Sequence, residues 1–349
     1  MSVTELEVFM RQAVMTEKGK IKIGEAPAPK PGRGEILLKV RRIGVCGSDI
    51  HVWHGKHPFT SYPVVQGHEF SATVERVGQG VTKAKPGMKV TARPQVVCGE
   101  CAPCLRGDYH ICNKLKVQGF QAPGCAQDFF ITTEDKLVVL PDSLSFEQGA
   151  LVEPAAVSAH STGRGGDLKG RNVVVLGAGT IGNLVAQAAR CRGAAKVLIT
   201  DISDFRLEKA SACGIDAVCN VQKEKLADAV SRTLGKKGFD VAFEAVGQES
   251  ALDDAVQNIG KGGTIVVLGV FGARPRVDMS IVGDRELKLV GTLMYKHEDY
   301  EQAVKWIASG DMKTEPLITT HFPFEKYVDA YNFIEKQGDK TLKVMIDVN

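Results

Sequence analysis

The chain carries two textures of apolar and polar patterning. From Met10 to about Leu140, short apolar runs are broken repeatedly by Gly and Pro. Residues 35–40 read as a strand after the Pro-rich break at 27–32, and residues 71–78 alternate as a half-buried strand does. Residues 88–91 and 137–140 read as two more strands. Short strands with frequent turns predict a partly closed β-barrel or sandwich, and no long amphipathic helix is visible there. Past Ala155 the runs become buried-strand stretches alternating with helical periodicity. Residues 171–176 predict a strand, and Ile181, Leu184, Val185 and Ala188 form one stripe of a helix that Gly193 stops. Residues 196–201, 239–244, 263–269 and 287–291 predict further strands with helical patterns between them, the signature of a parallel sheet. Helical turns resume at 299–309 and 326–337, and residues 342–347 read as a last strand placed to rejoin the first segment.

The first strand of the second texture runs directly into Gly177-Ala178-Gly179-Thr180-Ile181-Gly182, and the next strand ends in Asp201, 19 residues beyond Gly182. Strand, GxGxxG, helix, strand and acid in that order predict a Rossmann dinucleotide-binding unit. Gly177 permits the tight turn, Gly179 lets backbone approach a pyrophosphate, and Gly182 allows close helix packing. The helix N-terminus at Thr180 and Ile181 holds the phosphate charge. Asp201 is expected to bond the ribose hydroxyls and so favour NAD over NADP, with Arg206 as a nearby cation that softens the preference.

At 349 residues the chain has the length of about two domains. A net charge of +3, with no run of five like charges, excludes nucleic acid or an anionic membrane as the expected main partner. No stretch offers 18 uninterrupted apolar residues, and the first 15 residues, with Glu5 and Glu7, do not read as a signal peptide. Nine cysteines, four of them between positions 98 and 112, favour metal thiolates over disulfides and a cytoplasmic setting.

Those four, Cys98, Cys101, Cys104 and Cys112, read C-x2-C-x2-C-x7-C, with Gly99, Pro103 and Gly107 supplying the turns. Four thiolates close a tetrahedral zinc and leave no position for water, so this site is expected to be structural; an iron–sulfur cluster is the competing reading. A second constellation lies at residues 44–69. Cys46, His68 and Glu69 are ligand types for a zinc with mixed sulfur, nitrogen and oxygen donors, and Ser48 and His51 are placed to carry a proton away from it.

Together these features resemble a zinc-dependent medium-chain dehydrogenase of the sorbitol (polyol) and butanediol dehydrogenase branch. The likeness rests on residues 44–51, Gly67-His68-Glu69, the cysteine loop, Leu151-Val152-Glu153-Pro154 and the glycine loop at 177–182, and covers nearly the whole chain. It implies an α/β architecture: a GroES-like β-barrel catalytic domain (1–155 and 294–349) and a doubly wound Rossmann domain (156–293), with the active site in the cleft. It also implies two zinc ions per chain, the catalytic one on Cys46, His68 and Glu69, with Glu153 reaching it directly or through water. Ser48 takes the alcohol proton toward His51, and NAD takes the hydride as a secondary alcohol becomes a ketone. Homotetramers are common in this branch, and some relatives are dimers.

The same resemblance bears on substrate. Sorbitol dehydrogenases carry an Arg-Tyr pair where this chain reads Met294-Tyr295, so a vicinal diol or polyol, including cyclic ones, is expected ahead of sorbitol itself. L-threonine or a sugar-alcohol phosphate is the alternative, and a zinc-free quinone reductase the distant one. Trp53 and Phe120 are expected as apolar pocket walls. Lys296 or His297 could replace the missing arginine donor, whereas His54, His57, His110 and His160 and the cysteines Cys125, Cys191, Cys213 and Cys219 read as structural.

Overall fold

The computed structural model describes residues 8–348 and divides the chain into two compact units. The acids at Glu5 and Glu7 lie outside the described residues.

The first unit extends to Glu153 and takes back Thr319–Gln337 and the chain from Lys343 onward. Its central strand is Glu35–Val45. One edge pairs antiparallel with Glu69–Val77, and the other is shared by Phe129–Thr133 and, further along, by the last strand, Lys343–Asp347. The long apolar run at 36–45 is buried along most of its length because it is paired on both sides. A smaller sheet, Lys20–Pro27, Phe9–Glu17 and Val64–Val65, lies in the same unit. Ile36, Leu38, Phe70 and Phe130 share its core with Phe324, Tyr327 and Tyr331 near the chain's end.

The second unit is a six-stranded parallel sheet in the order Ala217–Asn220, Lys196–Asp201, Asn172–Leu176, Val241–Glu244, Thr264–Val267, Lys288–Gly291. Counted along the chain, that order is 3-2-1-4-5-6, the doubly wound arrangement whose direction reverses between the strands ending at Leu176 and Glu244. Successive side chains leave on opposite faces. Val174, Leu176 and Leu198 therefore enter one core, and Val173, Val175, Val197 and Ile199 the other.

The compact units do not follow the expected domain bounds residue for residue. Residues 294–318 belong to the second unit, as do 338–342, instead of returning to the first unit at 294. The helix His297–Ser309 buries Tyr300, Ala303, Val304, Trp306 and Ile307. Asp299 accepts a hydrogen bond from His160 at 2.9 Å, and Arg192 lies over the Trp306 ring. Gln187 both donates to and accepts from the backbone of Lys313, at 3.0 and 2.7 Å.

Candidate metal and dinucleotide sites

Cys46 follows the central strand immediately and caps the helix Gly47–Trp53. Three residues on, Asp49 turns its carboxylate back to accept the Cys46 N–H at 2.9 Å, which fixes the direction of the turn. On the neighbouring strand Glu69 stands opposite Gly44. A Cβ at Gly44 would lie 2.4 Å from Glu69 Oε2, so the absent side chain makes room for the carboxylate. Gly67, at φ +88°, turns the chain into His68, and a Cβ there would meet Cys125 Sγ at 2.9 Å. Local geometry thus gathers donor atoms of Cys46, His68 and Glu69 within 4.8 Å of one another.

His68 and Glu69 are buried, and Cys46 is half-buried. His68 Nδ1 is buried without a hydrogen-bond partner and stands 3.6 Å from the Asp49 carboxylate. Burial and then Glu69 push the Cys46 thiol's pKa up. Burial alone would lower the pKa of His68, but Asp49 and Cys46 outweigh it and raise it well above the ordinary value. Sulfur, nitrogen and oxygen donors gathered this closely suit a zinc ion. Glu153, in the first turn of the helix Val152–Arg164, is buried and helps to raise the pKa of His68, but lies outside the tight cluster.

Ser48 and His51 sit three residues apart on one helix face. Desolvation, then His54 and Lys56, lower the pKa of His51. Phe120 meets His68 with ring centroids 4.9 Å apart, whereas Trp53 packs on Tyr331 in the core and donates its indole N–H to Glu335 at 3.1 Å. Tyr295 is fully buried against Tyr300, a core position instead of an open one. Two participants escape the sequence reading. Asp49 was legible only as the acid of a capping box, and Lys343 only as one charge opening an apolar strand. Lys343 is buried and donates to Glu69 Oε2 and to the Val45 carbonyl, at 2.5 and 3.0 Å.

In the cysteine loop the four sulfurs also lie within 4.8 Å of one another. Cys112 Sγ is 3.5 Å from Cys98 Sγ and 3.8 Å from Cys101 Sγ, and accepts N–H groups from Cys98 and Lys114. Backbone donors at Cys104 and Asn113 draw the Cys101 thiol down to about 6. Desolvation, then Cys101, push Cys104 up to about 12. Four sulfurs this close suit one shared cation.

In the second unit Gly177 has φ +98°. Gly179 caps the helix Thr180–Cys191, with open space where its Cβ would stand. A Cβ at Gly182 would lie 1.8 Å from the Gly177 carbonyl. A left-handed turn, open space and a close carbonyl contact thus follow one another at Gly177, Gly179 and Gly182. Asp201 closes its strand, accepts the N–H of Ala178 at 2.7 Å and of Ser203 at 2.9 Å, and has Arg206 at 3.9 Å.

Residues 32–142 match the alcohol dehydrogenase GroES-like domain, and residues 180–309 the zinc-binding dehydrogenase family. The 2-dehydro-3-deoxy-L-galactonate 5-dehydrogenase of Pseudoalteromonas atlantica is 36% identical, over 96% of this chain and 98% of that one. The sorbitol dehydrogenase of Bacillus subtilis is 30% identical, over 97% and 98%. The 2R,3R-butanediol dehydrogenase of Bacillus subtilis superposes with a TM-score of 0.89 at 26% identity, over 97% of this chain and 100% of that one. The chain belongs to the zinc-binding dehydrogenases, in their polyol branch. Zinc and a nicotinamide dinucleotide are its cofactors, and it oxidises a secondary alcohol.

Proposed function

We propose that the protein catalyses the reversible, NAD-dependent oxidation of one secondary hydroxyl of a polyol, sugar acid or vicinal diol to a ketone, with two zinc ions per chain. Cys46, His68 and Glu69 would hold the first ion, with Glu153 reaching it directly or through water. Cys98, Cys101, Cys104 and Cys112 would hold the second. The observation that carries this reading is the S, N, O donor set within 4.8 Å, with His68 and Glu69 buried.

A zinc ion there supplies Lewis-acid activation, which lowers the pKa of bound water to about 7 in the best-known case and acts likewise on an alcohol. Ser48 accepts the hydroxyl proton and passes it toward His51, which is exposed and can release it to solvent. Bound NAD+ would supply the hydride acceptor for the carbinol hydrogen, the overall change being alcohol and NAD+ to ketone, NADH and a proton. Phe120, against His68, forms an apolar wall. Met294 in place of an arginine, and a buried Tyr295, favour a substrate other than sorbitol.

Asp201 favours ribose hydroxyls over a 2′-phosphate: two like charges about 4 Å apart at an effective dielectric near 20 repel by roughly 4 kcal/mol. Arg206 beside it reduces that preference. The first unit would be catalytic and the second would bind cofactor. Nine free thiols fit a reducing cytoplasm. Among the described residues no helix is long and apolar enough to cross a membrane. Exposed Leu289 and Leu293, on and beside the edge strand Lys288–Gly291, suit assembly as a homotetramer.

Metal analysis of gently purified protein, paired with NAD reduction across secondary alcohols, tests the reading. About two zinc ions per chain and turnover of a polyol or diol are expected. Less than one zinc per chain with no NAD reduction would overturn it.

A further inference from the structure

Glu244 ends the strand Val241–Glu244 and has no exposed surface. Its Oε1 accepts the N–H groups of Val246 and Gly247 at 2.8 and 2.7 Å. Its Oε2 is buried without a hydrogen-bond partner. Among the described residues no cationic side chain pairs with it; the groups that lower its pKa against burial are backbone N–H donors. Burial raises its pKa, and the backbone N–H groups of Gly247, Val246, Gln248 and Gly269 oppose that, so the group has N–H donors but no cation beside it.

Three glycines interlock around it. A Cβ at Gly177 would meet Val246 Cγ2 at 2.9 Å, so the pyrophosphate loop rests on the turn that Glu244 holds. Gly247, at φ +74°, has no room for a Cβ because the Val270 carbonyl oxygen would stand 2.6 Å away. A Cβ at Gly269 would lie 2.5 Å from Glu244 Oε2 itself. The carboxylate therefore sits where the loops after three neighbouring strands meet.

Strand order says what approaches that place. Asp201, Gly177 and Glu244 stand at the carboxyl ends of three successive strands, Lys196–Asp201, Asn172–Leu176 and Val241–Glu244. Neighbouring strands are about 4.8 Å apart. With the adenosine ribose at Asp201 and the pyrophosphate at 177–182, the dinucleotide continues across the reversal point toward Glu244. Its nicotinamide ring is the half whose charge changes in the reaction, cationic when oxidised and neutral when reduced.

We propose that Glu244 is a positioning residue that matches the cationic ring of oxidised NAD, so that its carboxylate, which has no cation of its own, favours NAD+ over NADH. The inference rests on the dinucleotide reading of this unit. Glu244→Gln keeps the shape and removes the charge, and Glu244→Asp keeps the charge and alters the packing. Dissociation constants are measured on the holoenzyme, by calorimetry for NAD+ and by fluorescence for NADH. Glu244→Gln is expected to raise the ratio Kd(NAD+)/Kd(NADH) roughly fivefold or more. Glu244→Asp is expected to leave the ratio within about twofold of the wild type, even where both affinities fall. Glu244→Met, of similar length and with no donor facing the N–H groups of Val246 and Gly247, gives the same readout should the Gln variant fail to fold. Equal weakening of both cofactor forms by the uncharged variants would overturn the inference alone, leaving Glu244 a peg for its loops. A wild type that binds neither form would overturn the dinucleotide reading, and the inference with it.

Discussion

Lys343 sets its ammonium 2.5 Å from Glu69 Oε2, and both side chains are almost sealed from solvent. The pair ties the last strand to the strand that carries a candidate zinc ligand. Two buried charges hold each other, and losing one partner costs more than the pair itself is worth. Lys343→Met should therefore destabilise the protein by about 3–5 kcal/mol in denaturant unfolding. In zinc-free protein, where Lys343 is the cation that faces Glu69, adding Glu69→Gln to that variant should recover part of the loss, because no bare carboxylate then stays buried. A single-variant cost below about 1 kcal/mol would contradict this account.

Asp49 touches the Cys46–His68 pair from behind. It accepts the Cys46 N–H at 2.9 Å and faces His68 Nδ1 at 3.6 Å. Partners of this kind orient ligands and raise their basicity, and their loss typically costs roughly 10–100-fold in metal affinity. Asp49→Asn keeps the volume and removes the charge. Competition with a chelator should show one zinc weakened by about that factor, while the cysteine-loop zinc stays unchanged. Equal loss of both metals would indicate general unfolding instead.

His51 gives the pH dependence. Desolvation first, then His54 and Lys56, hold its pKa below the ordinary 6.5. A lowered pKa keeps the imidazole neutral, and able to accept a proton, to more acidic pH than a free histidine allows. The acid limb of alcohol oxidation that belongs to His51 should therefore have its midpoint below 6.5, with the rate falling as His51 becomes protonated. His51→Gln should remove that limb and slow oxidation by roughly 10²-fold or more. An unaltered acid limb in the variant would assign it to another group.

The parts of the fold that the sequence made legible are those in which one stretch of chain carries the whole signal. The strand Lys196–Asp201 falls on its expected residues because a strand buried on both faces is a continuous apolar run. The hairpin of Phe9–Glu17 and Lys20–Pro27 was not read. Its second strand exposes Lys22, Ile23, Gly24 and Glu25 in succession, so alternation is lost. Ala217–Asn220 is only four residues long and mostly half-buried. The boundary at 318 depends on Asp299 and Trp306 meeting His160 and Arg192, pairs separated by more than a hundred positions. The two candidate metal clusters were legible from residue type and, in the cysteine loop, from spacing. Lys343 was not, since nothing near it in the chain announces a partner 274 residues away.

Asp201 carries two duties that a substitution can separate. Its Oδ2 accepts the Ala178 N–H inside the glycine loop at 2.7 Å, and in the proposed reading its charge would face a ribose substituent. Asp201→Asn keeps an acceptor for Ala178 and removes the charge, whereas Asp201→Ala removes both. If the charge selects the cofactor, Asp201→Asn should lower the ratio of kcat/KM for NAD over NADP by about tenfold or more while activity with NADP rises. That change is well within the roughly 4 kcal/mol available to two like charges at ~4 Å. Asp201→Ala should lower the ratio similarly but also weaken both cofactors, because the loop loses its tether. Arg206, 3.9 Å from the carboxylate, pulls the other way, and Arg206→Ala should raise the NAD preference. Steady-state kinetics with both cofactors on the three variants decide the matter. An unchanged ratio in Asp201→Asn would leave this carboxylate as a loop tether only.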